Sequence, residues 1–315
     1  MKIVILDKST LGDDIDLTPI YNLGECTEYP TTPYDEVSER VQDADVIVTN
    51  KIKLNEDTLK DADNLKLICV AATGYDNIDT AYLKEKGIAL CNVPGYSTDS
   101  VAQVTVAMAL SLVTHLREYR GFVHSGEYSK SGVANKLSPV YHEASSMTWG
   151  ILGGGAIGTA VAKVAQALGC RVLVCRRKQE GDFPLADIDT LCREADVFSI
   201  HLPLSDSTRG ILTKERIASM KQSAVVINTA RGAVTDEKAL ADAIKTGRLG
   251  GLGVDVYSVE PFTQEHPFYE ILHYDNVCLT PHMGWGSAEA RERCVQKIAE
   301  NISCFFAGEN HNRII

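Results

Sequence analysis

The chain has 315 residues, 44% of them hydrophobic, and its 31 basic against 42 acidic residues leave a formal net charge of −11. That length supports two α/β domains with separate cores, and the negative field disfavours nucleic-acid and anionic-membrane partners. Nine cysteines without a C-x-x-C pair cannot all pair internally, which suits the reducing cytoplasm. Residues 2–6 read as a strand running into a polar turn, too short for a signal peptide. The longest nearly apolar run, 104–113, is about half a membrane span. Apolar runs of strand length follow at 44–49, 65–71 and 88–92, with helix-like segments at 34–42 and 80–86 between them. This alternation predicts a parallel sheet with helices on both faces.

Pro94-Gly95-Tyr96-Ser97 is a turn signal, and Ser100-Val101-Ala102-Gln103 fits a capping box opening a helix through Leu116. That helix is apolar nearly all round, so it is expected to be buried between domains. Residues 117–147 are polar, contain Gly121, Gly126 and Gly132, and have little periodicity; an excursion of that length is expected to be a dimer arm. The strand-and-helix alternation resumes after Gly150 and runs to Pro281. The apolar Cys294, Ile298, Ile302 and Phe306 mark one last helix over 287–306, predicted to cross back to the first domain. The expected domains are therefore 1–99 with 286–315, and 100–285.

The second domain is organised around Thr148-Trp149-Gly150-Ile151-Leu152-Gly153-Gly154-Gly155-Ala156-Ile157-Gly158. An apolar strand precedes Gly153, Gly155 and Gly158, which fall on the G-x-G-x-x-G spacing, and an amphipathic helix follows over 159–168. The first glycine permits a tight turn, the second lets backbone approach a pyrophosphate, and the third lets helix and strand pack closely. The helix N-terminus offers N–H groups to the phosphates. A second strand over 171–175 completes the context for dinucleotide binding.

Three later strands end in chemistry. Residues 225–228 run into Thr229-Ala230-Arg231-Gly232, and an arginine at the carboxyl end of a parallel strand faces the crevice where such sheets bind ligands. Its fork suits a carboxylate. Gly253-Val254-Asp255 leads to Glu260-Pro261, and Leu279-Thr280-Pro281 leads to His282. A histidine kept basic by a carboxylate is a general acid/base, and an arginine beside it orients an anionic substrate. With a nicotinamide cofactor this set implies hydride transfer to a 2-oxo acid.

In these four motifs, taken in order, the chain resembles the D-isomer-specific 2-hydroxyacid dehydrogenases over essentially its whole length. The resemblance implies a Rossmann-type cofactor domain and a flavodoxin-like substrate domain, both doubly wound parallel sheets, with a cleft between them. It makes Arg231 the carboxylate-binding residue, Glu260 the support of the histidine, and His282 the proton donor. Asp255 would hold the nicotinamide carboxamide, lined by Thr229, Ala230 and Gly284, while Ala156 and Ile157 face the pyrophosphate and Pro203 the adenosine. Ala72, Thr73 and Gly74 resemble the substrate loop, which Lys51 would join. No metal is implied.

NAD-selective loops carry an acidic residue about twenty positions after the glycines. Here Arg176 stands 18 residues past Gly158, within Cys175-Arg176-Arg177-Lys178, and the first acid is Glu180. Guanidinium groups bind a 2′-phosphate that an acid repels, each charge-assisted bond being worth roughly 1.5–3 kcal/mol. NADP(H) is therefore expected in preference to NAD(H). Trp285 and the surrounding 280–291 stretch resemble the hydroxypyruvate/glyoxylate reductase (glycerate dehydrogenase) branch. D-lactate, branched-chain and aromatic 2-hydroxy acids stay open as substrates. So does, from another class, a dinucleotide-sensing corepressor-like role in which no small oxo acid is turned over.

Overall fold

The computed structural model describes residues 1–177 and 181–315. In chain order, β1 (Lys2–Ile5), α1 (Thr18–Tyr21), β2 (Glu25–Glu28), α2 (Val37–Val41), β3 (Val46–Thr49), α3 (Glu56–Leu59), β4 (Leu67–Val70), α4 (Thr80–Lys86) and β5 (Ala89–Cys91) form the first part. Next come α5 (Thr98–Val113), α6 (Leu116–His124), α7 (Glu127–Ser131), β6 (Thr148–Leu152), α8 (Ala156–Ala167), β7 (Arg171–Cys175), α9 (Ile188–Glu194) and β8 (Val197–Ile200). The chain closes with α10 (Lys214–Ser219), β9 (Val225–Asn228), α11 (Glu237–Lys245), β10 (Gly251–Val254), β11 (Val277–Leu279) and α12 (Ala288–Phe306). It divides into two compact units, Met1–Ser97 with Trp285–Ile315, and Thr98–Gly284.

The first unit is a five-stranded parallel sheet in the order β2-β1-β3-β4-β5, the flavodoxin-like arrangement. Strand periodicity of two sends alternate residues of β1 to opposite faces. Ile3 and Ile5 join a core with Cys294, Ile298 and Ile302 of α12, whereas Val4 and Leu6 join one with Val37, Val41 and Leu83. Ser287 caps α12 by accepting from the Ala290 N–H. The apolar stripe of α12 stops short of the expected Phe306, which is 45% exposed at the helix end.

The second unit is a six-stranded parallel sheet, β11-β10-β9-β8-β6-β7. Beyond β7, Val174 makes a one-residue parallel bridge to Leu185. Counting that bridge as a vestigial third strand gives the order 3-2-1-4-5-6-7 with β6 as its first strand, the Rossmann order with β11 added at the far edge. The two faces again carry separate cores: Phe198 and Val226 contribute to one, Trp149, Val225 and Ile227 to the other. Buried Trp149 satisfies its indole N–H on the Ser199 hydroxyl at 2.9 Å.

Two local expectations are corrected. The helix expected to start at a Ser100 cap begins at Thr98, and the Ser100 hydroxyl donates to the Gly284 carbonyl at 2.6 Å, so Ser100 is a packing donor inside the first turn. That helix, α5, ends at Val113, before left-handed His115 (φ 52°), and it packs against α8, β9 and β10 of its own unit. The polar 117–147 excursion contains α6 and α7, the latter flanked by left-handed Gly126 and Gly132. No single helix among the described residues is long and apolar enough to cross a membrane.

Candidate active site

The cofactor loop follows directly from β6. Gly153 takes φ 106°, Gly155 is the N-cap of α8, and the first intrahelical bond runs from Thr159 N–H to Gly155 O at 2.9 Å. The N–H groups of the preceding turn have no intrahelical acceptor and no capping side chain. A Cβ on Gly158 would stand 1.9 Å from the Gly153 carbonyl oxygen, so helix and loop can approach this closely only through glycine. The result is an anion site with a fixed positive end.

At the end of β7, Arg176 lies across Gly154, where an added Cβ would be 2.8 Å from its Cδ. Its Nε and Nη2 are buried and have no hydrogen-bond partner among the described residues. A guanidinium keeps its charge in proteins, and buried donors left unmatched are costly, so this group fits an anionic ligand. Arg177 donates from Nη2 to Ser207 Oγ at 2.9 Å. Lys178, expected to join them, lies outside the described residues, as does Glu180. Pro203 is exposed, and its carbonyl accepts the Thr208 hydroxyl at 2.6 Å. The residues present therefore fit a dinucleotide: glycine loop, helix N-terminus and a cationic end to β7. Nearby His201 turns its ring onto Ser199 at 3.0 Å, and burial pushes its pKa down to about 3.

Strands β9, β10 and β11 are neighbours, and their carboxyl ends carry the other candidates. After β9, Asn228 shapes the turn: its side-chain oxygen accepts Ala230 N–H at 3.0 Å and its amide donates to Arg231 O at 2.9 Å. Arg231 Nη1 donates to Ala230 O at 2.8 Å, and the Thr229 and Thr105 hydroxyls meet at 2.9 Å. A Cβ on Gly232 would be 2.1 Å from Tyr257 C and 2.2 Å from Ser258 N. The arginine turn thus docks on the loop that carries Glu260.

Asp255, at the end of β10, is 2% exposed. Its Oδ1 accepts Met283 N–H at 2.9 Å and the Thr280 hydroxyl at 2.5 Å, and its Oδ2 accepts Gly284 N–H at 2.8 Å. These bonds hold the turn containing His282, whose φ of 53° is unusual for a side chain with a Cβ. His282 Nδ1 then lies 2.6 Å from Glu260 Oε2, while Glu260 Oε1 accepts Tyr257 N–H at 2.9 Å. With Nδ1–H donating to the carboxylate, Nε2 is the ring position that gains or loses a proton. The pair is accessible, at 22% and 29% side-chain exposure for His282 and Glu260. The Tyr257 hydroxyl donates to Thr280 O at 2.9 Å; burial, then the charges of Asp255 and Glu260, raise this phenol well above its ordinary range, so it acts as a neutral donor.

In the first unit, buried Asp7 sits at the switch point between β1 and β3. It accepts Asn50 N–H at 2.9 Å and Lys51 N–H at 2.6 Å, and desolvation raises its carboxyl pKa against these bonds. Thr73 Oγ1 donates to Val93 O at 3.0 Å, Asn92 Nδ2 donates to Thr73 O at 2.7 Å, and Ala72 O accepts Val93 N–H at 3.0 Å. Gly74 follows in the same loop. Trp285 packs its ring 6.2 Å from that of Tyr96. Sequence reasoning missed Asp7, and it missed Glu237, Ser258 and His266, which lie behind the Glu260 loop. Asp236-Glu237 reads as ordinary helix-start acidity, so only an acid with no solvent to face could have flagged it.

Residues 106–284 match the NAD-binding domain of D-isomer-specific 2-hydroxyacid dehydrogenases. The chain belongs to that family. It is 34% identical to a hydroxypyruvate reductase of Blautia hydrogenotrophica, with 99% of each chain covered. It is 36% identical to a glycerate dehydrogenase of Methylorubrum extorquens, covering 99% of this chain and 98% of that one. Among solved structures, an acyclic imino acid reductase in complex with NADPH and D-Arg superposes over all of both chains with a TM-score of 0.86 at 29% identity. This 2-hydroxyacid dehydrogenase is accordingly an oxidoreductase with a small-molecule substrate and two parallel-sheet α/β domains.

Proposed function

We propose that this dehydrogenase reduces hydroxypyruvate or glyoxylate with NADPH, giving the D-2-hydroxy acid where C2 becomes a stereocentre. The observation that carries the reading is the 2.6 Å Glu260–His282 pair on the loops past the adjacent strands β10 and β11, with Asp255 also following β10 and Arg231 following the next strand, β9. The reduced nicotinamide supplies the hydride that C2 accepts. His282 supplies the proton, from Nε2 to the carbonyl oxygen, and Glu260 stabilises the imidazolium and fixes the ring. Arg231 binds the substrate carboxylate through its fork, which orients the carbonyl. Reduction uses the protonated ring and oxidation the neutral one. Within the first unit, Lys51, Ala72, Thr73 and Gly74 are the candidate substrate contacts.

For the cofactor, Gly153, Gly155, Ala156, Ile157 and Gly158 would hold the pyrophosphate, Pro203 the adenosine, and Thr229, Ala230, Asp255 and Gly284 the nicotinamide end. Arg176 and Arg177 would bind the 2′-phosphate; the buried Nε and Nη2 of Arg176, unmatched among the described residues, support NADP(H) over NAD(H). The assembly is read as a homodimer through 117–147, where Val123, Val133, Leu137, Val140 and Tyr141 are exposed apolar residues. Nine free cysteines suit the cytoplasm. The test is NADPH oxidation with hydroxypyruvate, glyoxylate, pyruvate and phenylpyruvate. Turnover of either of the first two supports the reading, activity with phenylpyruvate alone moves the substrate, and cofactor binding without turnover contradicts it.

A further inference from the structure

Glu260 sits on an exposed stretch: Ser258, Val259 and Glu260 are all solvent-facing, and 257–262 has neither helix nor strand. A catalytic carboxylate on such a loop needs an anchor, because exposed loops with few buried contacts open readily. The anchor lies behind the loop. Glu237, in the first turn of α11, is 9% exposed, and its Oε1 accepts Ser258 N–H at 2.9 Å. Its Oε2 accepts the Ser258 hydroxyl, and also His266 Nε2 at 3.0 Å. His266 is equally buried, and its Nδ1 accepts Phe268 N–H at 3.2 Å, so the proton of the neutral ring lies on Nε2 and points at Glu237. The imidazole is walled by Phe262, Phe268 and Tyr257, at centroid distances of 5.0, 5.1 and 6.0 Å.

We infer that Glu237, with its buried partner His266, is a positioning residue that holds the 257–260 loop so that Glu260 meets His282. The connection is short. Ser258 is clamped by Glu237, its neighbour Tyr257 donates its N–H to Glu260, and Gly232 abuts the same two residues beside Arg231. A carboxylate is required there. All three donors are aimed at it, and in a glutamine either orientation sets the amide N–H₂ against Ser258 N–H or against His266 Nε2–H. Among the described residues, His266 meets Glu237 and has Tyr257 edge-on to its ring, Glu260 meets His282, and the charges of Asp255 and Glu260 act on Tyr257.

This inference rests on the Glu260–His282 pair being the proton-transfer pair, and a double-mutant cycle tests it. Glu237→Gln should lower kcat for hydroxypyruvate with NADPH by about ten- to a hundredfold, the scale of a small misplacement of a catalytic group. NADPH affinity should be unchanged, and the same substitution in a Glu260→Gln background should cause little additional loss, since its effect passes through Glu260. An unchanged kcat, or a loss that simply adds in the double variant, overturns the inference. Should Glu237→Gln fail to fold, Ser258→Ala removes one link of the same clamp and is judged by the same cycle. If the wild-type enzyme turns over no 2-oxo acid, the functional reading fails separately. The inference is then judged by the low-field Nδ1–H proton resonance of His282 in enzyme without substrate. Glu237→Gln should broaden that signal away, and an undiminished signal overturns the inference.

Discussion

The second unit contains the same pair of residue types twice, and burial gives the two copies different work. Glu260 and His282 lie 2.6 Å apart at 29% and 22% side-chain exposure, on loops past two adjacent strands. Glu237 and His266 lie 3.0 Å apart at 9% and 7%, with both ring nitrogens and three carboxylate bonds already assigned within the protein. The open pair is suited to exchanging a proton with a ligand. The closed pair has its hydrogen-bonding capacity spent on holding backbone, so it is suited to rigidity. Residue identity alone therefore does not distinguish a proton donor from a strut; access to the ring does.

The largest expected effect breaks the open pair. His282→Ala should reduce turnover by about 10²–10⁴, the usual contribution of a general acid–base group, while leaving the melting temperature in place. Steady-state kinetics beside thermal melts reads both. Glu260→Gln should act in the same direction more weakly. The same kinetics measures that loss, which reflects the ring orientation and imidazolium stabilisation that the carboxylate provides. The closed pair should behave inversely. His266→Phe strands a buried carboxylate and should lower stability by about 1–3 kcal/mol, seen in denaturant melts, with a smaller fall in kcat than His282→Ala gives.

Two changes outside both pairs sharpen the contrast. Arg176→Ala should weaken NADPH binding by about tenfold and leave NADH binding unchanged, measured by cofactor fluorescence titration. His201 is bonded to a serine, and burial sets its pKa near 3 against about 6.5 in the unfolded chain. Between those values the unfolded state takes up a proton that the folded state refuses. Stability held above pH 6.5 should therefore fall as pH drops toward 3, and His201→Gln should flatten that slope in urea melts at pH 7 and 5.

Much of the architecture was legible because it is written locally. Apolar runs of strand length, separated by helix-like segments, give two parallel sheets, and the G-x-G-x-x-G spacing after an apolar run marks β6 and α8. Arg231, Glu260 and His282 stood out because each follows a strand end, where such sheets bind ligands. What stayed hidden depends on distant partners. Ser100 looks like a cap until Gly284, 184 residues away, is seen to take its hydroxyl. Glu237 looks like helix-start acidity until Ser258 and His266, 21 and 29 residues on, converge on it. The helices α6 and α7 escaped notice because both are short and their starts carry left-handed His115 and Gly126 in place of a capping side chain.

The most direct test of the central claim is the initial rate of NADPH and NADH oxidation by the purified enzyme with hydroxypyruvate and glyoxylate near neutral pH, run beside His282→Ala. The proposed account predicts rapid, NADPH-preferring turnover of at least one of the two acids, lost in the variant while NADPH still binds. Tight cofactor binding without turnover, or a variant as fast as the parent enzyme, would contradict it.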